Sequence, residues 1–81
     1  MNVRVLLFAG ARELAGSGAV ELNLPEPATV AELRSALAVQ CPALGAILDR
    51  SAVAVGGRYA GPSDAVGPGA EVALIPPVSG G

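Results

Sequence analysis

Side chains able to do chemistry are scarce in this sequence. It holds no histidine, which removes imidazole metal sites, Ser–His triads and Cys–His dyads in one step. Its carboxylates, Glu13, Glu21, Glu26, Glu32, Asp49, Asp64 and Glu71, occur singly and read as solvated surface or helix caps. Cys41 is the one cysteine, so no internal disulfide staples the chain and a reducing compartment is the natural expectation. It precedes Pro42 with no base in view and reads as a quiet, semi-buried thiol. Gly67-Pro68-Gly69 lacks the lysine and the following helix of a phosphate loop.

What remains is the run Pro76-Pro77-Val78-Ser79-Gly80-Gly81. The two prolines fix φ and favour an extended path, and the side chains then shrink. Glycine has no Cβ, so Gly80-Gly81 can thread a channel that rejects any side chain, and the Gly81 carboxyl is unhindered. An ATP-using enzyme could convert that carboxylate to an acyl-adenylate open to attack by sulfide or a thiol. The product would be a C-terminal thiocarboxylate, a sulfur nucleophile on an arm reaching at most ~20 Å. Ordering such an arm costs about 1–2 kcal/mol of backbone freedom per residue, less where proline already restricts it. On the residues alone, a frayed end without a role stands beside this reading.

The elements that would position the arm emerge from hydrophobic period. Val3 to Phe8 is β-branched and apolar and reads as a strand. Val3, Val5 and Leu7 share one face of it, with Arg4, Leu6 and Phe8 on the other. Ala11 to Ala15 allows one helical turn, stopped by Gly16 and Gly18. Val20 to Leu24 alternates strictly and should pair antiparallel with the first strand. Thr29-Val30-Ala31-Glu32 is a capping box. Val30, Leu33 and Leu37 then recur at helical spacing up to Gln40, and Cys41-Pro42 stops the helix. Leu44, Ile47 and Leu48 suggest a short inward turn. Ala52 to Val55, a Gly56-Gly57 turn and Arg58-Tyr59 read as a hairpin, and 62–69 as a loop. Glu71 to Ile75 is the closing strand. The order predicts an α+β layer pair with first and last strands adjacent at the sheet centre. Residues 1–75 would form the domain and 76–81 a flexible tail. Parity turns Phe8 and Ile75 out of the sheet face away from the core, with Tyr59 joining them as a partner-binding surface.

With 81 residues the chain fits one domain. One Phe and one Tyr leave Val, Leu, Ile and Ala to build the core. The net charge is −2 and the five basic residues are scattered arginines, so neither a basic cluster nor a stacking set points to nucleic acid. The apolar run before Arg12-Glu13 is short for a signal peptide. No stretch approaches the ~20 apolar residues of a membrane span. A cytoplasmic protein without a membrane or nucleic-acid partner is expected.

Phe8-Ala9-Gly10-Ala11-Arg12-Glu13-Leu14-Ala15-Gly16, Thr29-Val30-Ala31-Glu32-Leu33 and the ending from Glu71 to Gly81 together resemble the small subunits of molybdopterin synthase, the MoaD sulfur carriers. The likeness spans the whole chain, and the ending is its most specific part. It implies a β-grasp, ubiquitin-like fold: a mixed sheet of about five strands with one main helix on one face. It implies adenylation of Gly81 by an E1-like enzyme (MoeB) and a sulfur-supplying enzyme that completes the thiocarboxylate. ATP would be used by that activating partner, with no cofactor bound here. It further implies insertion of Pro76 to Gly81 into the large synthase subunit (MoaE), where sulfur passes to precursor Z to form the molybdopterin dithiolene. The chain would be the sulfur donor of a transferase complex, not catalytic alone, with Phe8, Arg12, Tyr59 and Ile75 facing the partner. Two alternatives share the ending: a ubiquitin-like modifier joined to lysines through Gly81, and a thiamin-type sulfur carrier. The chain departs from the MoaD pattern at Gly56, usually Asn, and at Pro68-Gly69-Ala70, usually an acidic turn.

Overall fold

The computed structural model describes residues 1–77; Val78, Ser79, Gly80 and Gly81, the end of the expected arm, lie outside the described residues. Along the chain run β1 (Asn2–Leu7), α1 (Ala9–Ala15), β2 (Ala19–Asn23), β3 (Ala28–Thr29) and α2 (Val30–Gln40). Next come a 3-10 turn (Pro42–Leu44), α3 (Gly45–Leu48), β4 (Ala52–Val55), β5 (Arg58–Ala60), β6 (Ala65–Val66) and β7 (Val72–Ile75).

Alternation in β1 sends Val3, Val5 and Leu7 into the core. β2 pairs with it antiparallel, Leu22 opposite Val3 and Glu21 opposite Arg4. β7 pairs with the other side of β1 in parallel, in the register Val5–Val72, Leu6–Ala73, Leu7–Leu74. β4 then pairs antiparallel with β7, and β5 with β4, giving the order β2-β1-β7-β4-β5. The first and last strands are therefore neighbours inside the sheet, as alternation and element order predict. Gly56 (φ 59°) and Gly57 (φ 81°) close the β4–β5 hairpin. Two successive positive φ values are what a two-residue turn needs to match strand twist. Gly56 meets that need as an asparagine would, so this departure from the carrier pattern leaves the turn intact.

The capping box of α2 is present in both directions. Glu32 N–H donates to Thr29 Oγ1 at 3.3 Å, and Thr29 N–H donates to Glu32 Oε1 at 2.9 Å. Two further helix-start donors find the loop before β6: Val30 N–H reaches Asp64 O and Ala31 N–H reaches Pro62 O, each at 3.0 Å. Val30, Leu33 and Leu37 are fully buried against the sheet. Leu44 and Leu48 complete that layer from the 3-10 turn and α3. Arg34, half-buried, ties α2 to the segment between α3 and β4, donating to Leu48 O at 2.9 Å and Ser51 O at 2.7 Å.

Three expectations are adjusted. α1 starts at Ala9 rather than Ala11, and Phe8 is its N-cap rather than a strand residue. The segment read as a loop from 62 to 69 contains β6, which pairs with β3 in a two-stranded ladder and buries Val66. Strand parity also predicts Val55 in the core; it faces the core but stays half-buried, because it sits at the hairpin end.

Leu33→Ala or Leu37→Ala is expected to cost about 2–5 kcal/mol in urea unfolding, since each empties a fully buried site. Arg34→Ala should cost about 1–3 kcal/mol by orphaning two carbonyls. Arg34→Lys should recover only part, because one ammonium does not reproduce the forked donor.

Candidate functional site

The arm is rooted in the middle strand of the sheet. Ile75, its last paired residue, lies opposite Ala52 of β4. Pro76 is half-buried and Pro77 exposed. Because β1 and β7 run parallel, Phe8 leaves the sheet at the same end as Ile75. Phe8 keeps extended dihedrals (φ −126°, ψ 157°), so strand parity carries one residue past Leu7. Leu7 is 2% exposed and Phe8 49%, the alternation expected when Phe8 faces away from the core.

Arg12 stands one helical turn beyond Phe8, its N–H directed at Phe8 O at 3.4 Å. Its exposed guanidinium lies over Gly18, where an added Cβ would sit 3.8 Å from Nε. It lines a surface recess shared with Ala9, Glu13, Gly16, Ser17 and Gly18. Tyr59 is 75% exposed and lies opposite Ala54 on β5. Phe8 and Ile75 thus gather at the root of the arm, while Arg12 lies to the β2 side of them, over Gly18, and Tyr59 stands apart on the other side. Its strand is three neighbours from β1, about 14 Å at ordinary strand spacing.

Between them runs a row that sequence reasoning did not single out. Register aligns Ala19, Leu6, Ala73, Ala54 and Tyr59 across all five strands on the face away from α2. The row is apolar with small residues at its centre, so partner atoms could approach the backbone closely there. Leu6 was legible as outward-facing from its alternation with Val5 and Leu7. The alanines carry no such signal, because alanine is common on both faces. Among the described residues, no buried side-chain polar atom lacks a hydrogen-bond partner. No group of three or more potential metal ligands is found among them, and no helix is long and apolar enough to cross a membrane.

A mixed five-stranded sheet, with parallel first and last strands at its middle and a helix laid across one face, defines a ubiquitin-like β-grasp domain. The chain belongs to the ThiS family, whose model matches residues 5–81. It is similar to the molybdopterin synthase sulfur carrier subunit of Chlamydomonas reinhardtii, 36% identical, with the whole of both chains covered. The crystal structure of SAMP1 from Haloferax volcanii superposes with a TM-score of 0.89 at 35% identity, again over both whole chains. Subunits 1 and 2 of the molybdopterin-converting factor from Helicobacter pylori have been solved as a protein–protein complex. One chain of that complex matches over its full length and the full length of this one, with a TM-score of 0.72 at 22% identity, a likeness of fold alone. The small-subunit sulfur carriers of molybdopterin synthase are thus this chain's relatives from end to end.

Tyr59→Ala and Phe8→Ala should change the unfolding free energy by about 1 kcal/mol or less, as exposed positions do. Leu74→Ala in the same urea titration should cost about 2–5 kcal/mol.

Proposed function

We propose that this chain carries sulfur as a thiocarboxylate on Gly81 and donates it inside a molybdopterin synthase. The observation that carries the reading is full-length similarity to molybdopterin synthase sulfur carrier subunits, ending included. In the first step an E1-like enzyme of the MoeB kind joins the Gly81 carboxylate to the AMP portion of ATP and releases pyrophosphate. In the second, sulfur from a sulfur-supplying enzyme attacks the acyl carbon and AMP leaves. The carrier then seats Pro76 to Gly81 in the large synthase subunit (MoaE). There the thiocarboxylate sulfur bonds to a carbon of precursor Z, and water cleaves the resulting thioester, leaving the sulfur on precursor Z and a Gly81 carboxylate for the next cycle.

The chain's own contribution is delivery. Pro76-Pro77 start the arm on an extended course with little freedom left to lose. Gly80-Gly81 present no side chain to a narrow channel. Phe8 and Ile75 at the root, Arg12 on the β2 side of them and the alanine-floored row out to Tyr59 form the surface that meets the large subunit. Aromatic anchors there would carry most of the binding energy. The Helicobacter pylori complex of two converting-factor subunits supports a pairing of this kind.

A second reading, a ubiquitin-like modifier joined to lysines of other proteins, is favoured by the likeness to SAMP1. Both begin with the same adenylate and differ in the nucleophile that receives it.

Intact-mass spectrometry of the protein from its native cell should find the oxygen-to-sulfur mass increase on the C-terminal peptide. Branched Gly-Gly remnants on other proteins, without that increase, would favour the modifier. Deleting Gly81, or adding one residue after it, should abolish adenylation while the melting temperature stays within error; an extended variant that still accepts sulfur overturns the reading. Phe8→Ala or Ile75→Ala should weaken binding to the large subunit by more than about 1 kcal/mol.

A further inference from the structure

Five of the described residues have positive φ: Gly16, Gly56, Gly57, Gly69 and Ala9. The four glycines take the left-handed region at no steric cost. Ala9, at φ 48°, does not, because its Cβ crowds the following carbonyl. Nor does packing offset the strain, since Ala9 is exposed. The strain is held from both sides. Leu7 is paired with Leu74 and donates its N–H to Gly18 O at 2.9 Å. On the far side Phe8 O accepts from Ala11 N–H at 3.0 Å. A glycine would sit here without strain.

Strained backbone at an exposed site persists where something depends on the geometry it imposes. Ala9 joins Phe8, at the root of the arm, to the helix that carries Arg12 on the β2 side of it. For an L-residue the positive-φ half of the map is sparsely allowed and narrow, whereas glycine opens a broad plateau on both signs of φ. Alanine therefore holds the angle between Phe8 and α1 more narrowly than glycine would. We infer that Ala9 is a positioning residue, whose strained φ fixes the relative direction of Phe8 and Arg12 for docking to the large synthase subunit. The inference rests on the docking surface proposed above.

Stability and binding should move in opposite directions. Ala9→Gly should raise the melting temperature by about 4 °C or more through relief of strain. It should also weaken binding to the large synthase subunit about threefold or more, through added freedom at the joint. D-alanine at position 9, introduced by chemical synthesis with ligation at Cys41, prefers positive φ and keeps the well narrow. It should raise the melting temperature and bind as tightly as the parent. An Ala9→Gly protein that binds like the parent, or that melts lower, overturns the inference. Phe8→Ala and Arg12→Ala in the same titrations test the surface itself. If neither weakens binding, the docking surface falls and the role of Ala9 falls with it. If both weaken binding and Ala9→Gly does not, only the role of Ala9 fails.

Discussion

Val5, Leu6 and Leu7 lie in parallel beside Val72, Ala73 and Leu74, and the rest of the molecule is arranged around that pairing. Parallel neighbours cannot be joined by a tight turn, so the chain between them must leave the sheet and return. The β2 hairpin, α2, the 3-10 turn, α3 and the β4–β5 hairpin occupy that excursion. The same pairing brings Val5, Leu7, Val72 and Leu74 together at the heart of the core, each 2% exposed or less. A domain this small buries little surface, so every one of these contacts weighs heavily in its stability. It also roots the arm on an interior strand, held between two neighbours, so the direction in which the arm leaves is set by the core itself.

Laying α2 over one face of the sheet leaves the other face to alternation alone. The inner positions hold Val and Leu; the outer ones hold alanines, Leu6, Ile75 and charged rims such as Arg4 opposite Glu21. Sheet edges invite unwanted pairing. On the β2 side Gln40 reaches from the end of α2 and donates to Glu21 O at 2.8 Å, occupying an edge acceptor. That edge is partly covered, whereas no helix lies over the outer face of the sheet among the described residues. That face joins the aromatic residues to the root of the arm.

Much of this was legible in the sequence because the large elements carry strong periodic signals. Val3 to Leu7 alternates, Thr29 and Glu32 stand three apart before a helical stripe, and Gly56-Gly57 separates two short apolar runs. The β3–β6 ladder was not legible, because two-residue strands are too short to show a period and theirs lie among prolines and glycines. The true start of α1 was hidden for a different reason. Ala9-Gly10 looks like a break, and the turn into the helix depends on a left-handed alanine that no propensity predicts. The outward-facing positions Phe8 and Ile75 came from parity. The alanine row leading to Tyr59 did not, since its alignment comes from register across four strand pairs rather than from residue type.

The two chemistries open to such an ending differ only in what attacks the activated Gly81 carbonyl, and composition bears on that choice. All five basic residues are arginines, so the sequence contains no side-chain amine. A guanidinium stays protonated at any physiological pH and offers no free electron pair to an acyl carbon. One copy therefore presents no side-chain amine to the adenylate of another, however crowded the copies become. Where the recipient is a lysine, that lysine must belong to another protein, and the product is a single tag rather than a chain built through side chains. The fold serves either outcome unchanged, because it supplies a direction and a docking face while the partner supplies the nucleophile.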